Sequence, residues 1–498
     1  MTAETRPRSL ASQAFWILMA KTLGFVFSFA LPLLVVRLLD PRAFGVYKQS
    51  FLIVTTAQSI LPLGFAMSAF YFLPRMPDAK ARVVRNTIYF HGGVGLLAFA
   101  LLALVPAIGV WLVGTPEIAQ YSPIIGAVTG LWIASNFLET VATADGDVRY
   151  STIFIAGAQF FKSAFMVAAA LIWKTPEALL YAAMAQGAVQ FAVLGWYAQR
   201  RFPGMWGPLD GKLLRTQIAY ALPLGLAGVV YTMQTDLHNF FVSKRFPPET
   251  FAIYAVGCFQ LPLLNLLRES LTGVLISRIS ALEHQGQHRE VMRVLLLATS
   301  RISAFYLPVY AFLIVHGREF LIALYTKQYE ASWPIFQVFL TTIPISIVVN
   351  DPALRAYERS RNFLLKLRIV LLIVLVAALK YSLDAFGLMG AVGVIVGVML
   401  FERIAVTIKV FAVVGFQRSD WRHLAPVARA ALASLIAALV SKAVAPSSGP
   451  AWMMVAIAGA VFGLVYTALA WRLDIVPPEY RERALGMLRR LAPTGSQR

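Results

Sequence analysis

Eleven charged residues fall within stretches apolar enough to lie in a membrane: Lys21, Glu139, Lys162, Asp236, Arg268, Glu269, Arg301, Glu402, Arg403, Lys409 and Arg429. An ionised side chain at the centre of a bilayer costs about 2.5–3.5 kcal/mol on insertion scales, so it normally faces water or a partner. At about 1.5 Å per residue, Lys21 and Lys162 stand about 16 Å from the nearest helix end, too far for easy snorkelling, and need water, an anion or a carboxylate. Arg268 and Arg301 stand about 10–12 Å from an end, so a cavity and the headgroup layer are both open to them. In the first half only Glu139 opposes Lys21 and Lys162, so ion pairing within the chain cannot neutralise them. A hollow with surplus positive charge suits an anionic ligand. Thr22, Ser28, Gln159 and Ser163 nearby could hydrogen-bond a phosphate or sugar, although hydroxyls between helices more often serve packing. Asp236, Glu269 and Glu402 are the acids that could take up a coupling proton or cation.

The elements that must hold these charges are long and apolar. The chain has 498 residues, 59% hydrophobic and only 14% charged, with a mean hydropathy of +0.69; soluble domains carry charge on about a quarter of their residues. A helix needs about 20 apolar residues to cross a bilayer, and fourteen such spans can be placed. They include 10–36, 46–70, 251–276, 332–352, 363–381, 387–413, 424–444 and 451–471. The expected fold is therefore an all-α polytopic membrane protein. The net charge of +20 follows the topology: with the N terminus inside, more than half of the 44 Lys and Arg fall in segments on that side. This positive-inside bias predicts a bacterial inner (plasma) membrane protein with both termini cytoplasmic, touching anionic lipid headgroups and not nucleic acid. The single Cys258 excludes an internal disulfide. No nucleotide loop, HExxH or dinucleotide fingerprint is present, and His284 and His288 read as a solvated turn in EHQGQHRE, not a metal site. The tail from Pro477, with Leu485, Leu488 and Leu491 among arginines, reads equally as an inner-leaflet helix or as a disordered basic tail.

The chain also repeats itself. RLLDPRAFGVYK at Arg37–Lys48 aligns without a gap on KRFPPETFAIYA, 207 residues later, placing Pro41 on Pro248, Phe44 on Phe251 and Tyr47 on Tyr254. Pro32, Pro62 and Pro106 punctuate the first helices of one half, and Pro223, Pro262 and Pro308 those of the other. The spacing predicts a six-helix bundle over 1–200, a second over 201–416, related by a pseudo-two-fold along the membrane normal, an extra helix pair over 417–471 and a basic cytoplasmic tail over 472–498.

LPLLVVRLLDPRAFGVYK, the loop carrying Arg149, and IAYALPLGLAGVVYTMQTDLHNFFVSKRFPPETFAIYA together resemble the oligosaccharide and polysaccharide flippase family (Wzx-like). It belongs to the multidrug, oligosaccharidyl-lipid and polysaccharide exporter superfamily, and the likeness spans about residues 9–415. The resemblance implies two bundles around a cavity that opens alternately to each side, passing undecaprenyl-diphosphate-linked oligosaccharide across the inner membrane. Basic residues on the first, second and eighth helices of the related lipid II flippases meet the diphosphate. Lys21, Lys48 and Arg268 occupy broadly matching places, and with Lys162 and Arg301 they form the candidate anion set. Asp236 matches an acid beside those flippases' sodium site, but the eleventh helix here lacks the buried acid that accompanies it. The expectation is a transporter and not an enzyme, with no metal and no cofactor beyond a coupling H+ or Na+. Its partners would be the lipid-linked oligosaccharide and membrane lipids, with a polysaccharide polymerase and a chain-length regulator beside it. The rival readings are a cation-coupled drug antiporter of the same superfamily, which would want buried acids where this chain has bases; a polymerase or ligase, which would want a large outside loop; and a non-transporting component of polysaccharide assembly.

Overall fold

With no water to satisfy backbone N–H and C=O groups, an apolar stretch in a membrane closes its hydrogen bonds within itself and forms a helix. The computed structural model describes residues 10–357, 361–446 and 448–475, without the side chains of 10–18, 20, 21, 23, 25, 28 and 361; among the described residues all regular structure is helical. The expected tail lies, from residue 476, outside them.

The chain runs through α1 (Leu10–Leu38), α2 (Pro41–Ile60), α3 (Ser68–Arg75), α4 (Lys80–Leu104), α5 (Ala107–Val113), α6 (Ile118–Ser135), α7 (Leu138–Ala144), α8 (Val148–Trp173) and α9 (Pro176–Arg201). It continues through α10 (Gly211–Arg245), α11 (Pro248–Gly257), α12 (Pro262–His284), α13 (His288–Tyr325), α14 (Trp333–Leu340), α15 (Thr342–Ile345), α16 (Asp351–Ala356), α17 (Arg361–Val410), α18 (Ala425–Val444) and α19 (Ala451–Arg472). Caps mark the starts. Asp40 accepts from Ala43 N at 2.9 Å before Pro41 opens α2, Thr175 caps α9 before Pro176, and Asp147 and Asp210 accept from Tyr150 N and Leu213 N. Each satisfies a backbone donor that the first helical turn leaves open.

Ten helices are long and apolar enough to span a membrane, or eleven if α11 and α12 form one broken span, among the described residues. The fourteen expected spans differ from this at identifiable places. Span 332–352 is not one helix: Pro344 removes a donor within it, and the hydroxyls of Thr341, Thr342 and Ser346 bond nearby carbonyls at 2.7 Å, so α14 and α15 end in an unwound stretch before α16. Spans 363–381 and 387–413 lie in two helices that share the label α17 and are taken as one in the count above: the chain turns at Gly387, whose φ of 56° and ψ of −137° suit glycine alone, and Arg368 meets Glu402 across the turn at 3.1 Å. Span 46–70 ends as a helix at Ile60, ahead of Pro62 and of Leu63 and Gly64 at positive φ. The 10–36 span lies in α1, nearly half of whose side chains are outside the described residues.

The described chain divides into two compact units, one of residues up to Ala255 with Leu372–Ala391, the other of Val256–Leu371 and residues from Val392. In the first unit α1 packs along α8, with Ser163 donating to Phe27 O at 3.1 Å and Gly24 lying against Gln159. α4 packs on α6 through Gly95 and Gly130, each too close to the other's backbone to carry a side chain. α2 meets α6, α9 and α10. One rim of this unit is tied by Asp145, whose buried carboxylate holds Lys80 at 2.6 Å and Arg201 at 2.7 Å. On the same rim Arg85 donates to the carbonyls of Gly204, Met205 and Pro208. The opposite rim is tied by Arg42, which bonds Glu117 and, at 2.9 Å, Glu249. In the second unit α18 and α19 pack on α13, where Tyr466 donates to Ala304 O at 2.7 Å, His316 bonds Ser441 at 3.0 Å and Phe312 meets Phe462.

Candidate functional site: two lysines on an aromatic wall

The first unit builds one continuous aromatic wall. On α2, Phe44, Tyr47 and Phe51 recur at three- and four-residue spacing and so share a face; their ring centres are 5.8 and 4.9 Å apart, and Phe51 continues to Trp132 of α6 at 5.9 Å. A lysine stands at each end. The Lys48 ammonium lies 5.5 Å from the Phe44 ring, and that of Lys162, on α8, lies 4.4 Å from the Trp132 ring. Trp132 is buried and fixed, its Nε1 donating to Ala183 O at 3.3 Å and its ring filling the space left by Gly187. Neither lysine has a carboxylate within ion-pair distance among the described residues.

A cation on an aromatic face gains about 0.5–1 kcal/mol when exposed and about 2 when desolvated. That falls short of the about 2.5–3.5 kcal/mol that an ammonium costs at mid-membrane. Trp132 therefore orients the Lys162 ammonium without neutralising it, and the shortfall is what an anion or water would make up. Gln49 on α2 is fully buried with no protein partner for its side-chain amide. It shares the helix face of Gly45 and Thr56, by its offsets of four and seven residues.

The second unit treats its charges differently. Glu402 bonds Arg368 at 3.1 Å, both nearly buried, and Arg403 bonds Asp351 at 3.1 Å and Val348 O at 2.9 Å. Arg268 on α12 is half-buried beside Tyr306, whose hydroxyl donates to Leu264 O at 2.6 Å. Arg301 and Glu269 are exposed. Asp236 of α10, in the first unit, is half-buried within hydrogen-bonding reach of Thr235 and of Thr56 on α2, with no base in ion-pair reach among the described residues. Lys21 falls in α1 one turn before Gly24; its side chain lies outside the described residues. Of the candidate anion set, the structure thus brings Lys48 and Lys162 to one wall. Sequence reasoning passed over Trp132, Gln49 and the Asp145 bridge. The wall had a signal in the aromatic spacing of α2; Trp132 had none, because its contact depends on how α6 and α8 meet.

The chain is thus all-helical with ten or eleven candidate membrane spans among the described residues, and Lys48 and Lys162 of one unit lack the carboxylate partners that Arg368 and Arg403 have in the other. The polysaccharide biosynthesis protein family matches residues 34–334, more than half of the chain, and the protein belongs to that family. No curated protein matches the sequence. Among solved structures, the chain is similar to the lipid II flippase MurJ in an inward closed conformation, at 13% identity and a TM-score of 0.70, covering 93% of this chain and 100% of that one. It is also similar to an inward-facing multidrug resistance MATE family transporter of the MOP superfamily, at 12% identity and a TM-score of 0.62, covering 80% and 96%. A point mutant of the Vibrio cholerae MATE transporter VcmN is similar at 16% identity and a TM-score of 0.57, covering 83% and 99%. At these identities the likeness shows the fold: that of the multidrug, oligosaccharidyl-lipid and polysaccharide exporters.

Proposed function

We propose that this protein is a flippase that moves undecaprenyl-diphosphate-linked oligosaccharide across the bacterial inner membrane by alternating access. The observation that carries the reading is the Lys162 ammonium, about 16 Å from a helix end, held on Trp132 with no carboxylate near it among the described residues. In a family of polysaccharide biosynthesis, with a fold shared with a lipid II flippase, an anionic diphosphate is the ligand that such a charge suits. The diphosphate would be received by Lys162 and Lys48 with Lys21 and Arg268, the sugars would travel in the wet hollow, and the lipid tail would remain in the bilayer. The proline-interrupted helices would absorb the change between inward and outward states.

Direction would come from an ion gradient, the membrane potential or removal of the product by a polymerase. Of the acids considered, Glu402 is committed to Arg368 and Glu269 is exposed, whereas Asp236 is half-buried with no base in ion-pair reach among the described residues; a coupling H+ or Na+ is therefore assigned to Asp236. In cells, Lys162→Met should cause lipid-linked oligosaccharide to accumulate on the inner leaflet and lower the surface polysaccharide, while Lys162→Arg should keep most of the transport. Normal export by the Met variant, present at normal level in the membrane, would remove Lys162 from the mechanism and with it this reading.

A further inference from the structure

An apolar hollow lies in the first unit among α2, α4, α5, α10 and the Leu372–Ala391 part of α17, and its α2 lining, from Ile53 to Ile60, follows on from Phe51 of the aromatic wall. Its volume is about 810 Å³, within the about 300–1,000 Å³ of ordinary ligand pockets. Its walls are side chains such as Leu101, Leu102, Leu237 and Phe240, and its rim carries Lys244, Arg245, Lys380 and Asp384 beside Trp111. Leu101 and Trp111 are exposed, so the hollow is reached from the side of the helices.

Its depth and charge both point to a lipid. Along α10 the lining runs from Met233 to Lys244, eleven residues or about 16 Å, which is half of the about 30 Å hydrocarbon core. The hollow is one leaflet deep. At the rim Asp384 is the single acid among three bases; Arg245 lies 3.6 Å from it, and the Lys244 ammonium sits 4.8 Å from the Trp111 ring. An exposed tryptophan beside lysines is the arrangement met at the headgroup layer. Apolar walls one leaflet deep beneath a rim of surplus positive charge match a phospholipid with an anionic head.

We propose that this crevice holds one anionic phospholipid from the leaflet opposite the chain's N terminus, with its phosphate between Lys244 and Lys380 and an acyl chain along α10. The lipid would fill space between α2 and α10 that protein side chains leave open, and so steady the packing around Arg42, Glu117 and Glu249 on the same rim. The site stands apart from the flippase reading: it would exist in a transporter of any cargo.

The test uses the full-length protein in a neutral detergent, titrated with phosphatidylglycerol or with phosphatidylcholine while thermal stability is followed. Phosphatidylglycerol should raise the melting temperature at lower concentration than phosphatidylcholine. Lys244→Gln with Lys380→Gln should weaken its apparent affinity by at least tenfold, since each basic group near an anionic lipid is worth about fivefold. Leu101→Trp, which fills the crevice without touching the rim charge, should weaken both lipids. Photoreactive phosphatidylglycerol should label α10 in the wild type and fail to do so in the Trp variant. Equal response to the two lipids, or unchanged phosphatidylglycerol binding and labelling in the variants, would overturn the proposal. Displacement of phosphatidylglycerol by a polyprenyl diphosphate at equal concentration would also overturn it, making the crevice a place for cargo.

Discussion

Lys162 shows how a single residue's environment sets what it can do. Had the structure placed a carboxylate against its ammonium, the charge would be spent on packing, as Arg403 is on Asp351. Trp132 instead offers a cation–π contact worth at most about 2 kcal/mol, leaving the ammonium with attraction to spare. A change that conserves charge and one that removes it should therefore separate: Lys162→Arg near wild-type transport, Lys162→Met strongly reduced, with membrane levels of both unchanged. A second residue-scale expectation concerns pH on the Asp145 rim. Asp210 accepts from the Leu213 backbone N–H and then from Arg82 at 3.1 Å, and these hold its carboxyl below the ordinary value of 3.8. Its contribution to folding is then complete above pH 3.8 and is lost as the pH falls through the lower value of the folded protein. Asp210→Asn should flatten the acid limb of the stability profile in detergent and leave transport at neutral pH unaltered.

Among the elements, close backbone approach decides as much as apolar pattern. Gly45 of α2 lies against the backbone of Pro248 at the start of α11, with no room for a methyl group. Forcing atoms into such a contact costs about 1–3 kcal/mol, so Gly45→Ala should lower the melting temperature by several degrees, whereas Gly228→Ala, where nothing lies within 4 Å, should not. Gly387 matters for a different reason. Space surrounds it, but its φ and ψ cost a residue with a side chain about 1–3 kcal/mol. Gly387→Ala should destabilise the protein through backbone strain alone, as read by a lower melting temperature.

At the scale of the whole molecule, two units carry two charge regimes. The first keeps its central lysines unpaired and ties its rims with bridges whose basic ends are exposed: Arg42 to Glu117 and Glu249 on one side, Lys80 and Arg201 to Asp145 on the other. The Arg42 bridges, open to solvent at both ends, are worth about 0–1 kcal/mol each, weak enough to break and remake during a conformational cycle, whereas the buried Asp145 carboxylate is costly to leave without its bases. The second unit pairs Arg368 with Glu402 and Arg403 with Asp351 away from solvent, leaves the bases of its Arg289, Arg293 and Arg318 pairs exposed, and extends its core with α18 and α19, the first of which approaches α13 closely through Ala430, Ala433 and Ala437. Deleting residues from Arg418 onward would expose Phe312 and the α13 face that receives Tyr466. The truncated chain should be degraded or aggregate on extraction, as read by fluorescence-detected size-exclusion chromatography, instead of yielding a stable shorter protein.

How much of this was legible beforehand differs between fold and site. The all-helical membrane architecture was written in composition, because about 20 apolar residues in a row admit one solution in lipid. The break at 258–261 and the turn after Ile60 had their signals in Pro262 and Pro62, yet the unwinding of 332–352 was missed: hydropathy is blind to Thr and Ser hydroxyls that bond the backbone. For the site, depth along the helix singled out Lys21 and Lys162 without any knowledge of neighbours. Depth also singled out Glu402 and Arg403, and there it could not see Arg368 or Asp351 waiting in the fold.

By itself, then, the sequence determined that this chain is a bundle of membrane helices with cations where lipid would not tolerate them, since burial and backbone satisfaction are local costs summed along each segment. Which of those cations stay unpaired was decided by tertiary structure alone. The partner of a charge sits on another helix, at a distance set by where small residues such as Gly24, Gly95 and Gly130 let backbones meet, and no spacing within one segment records that.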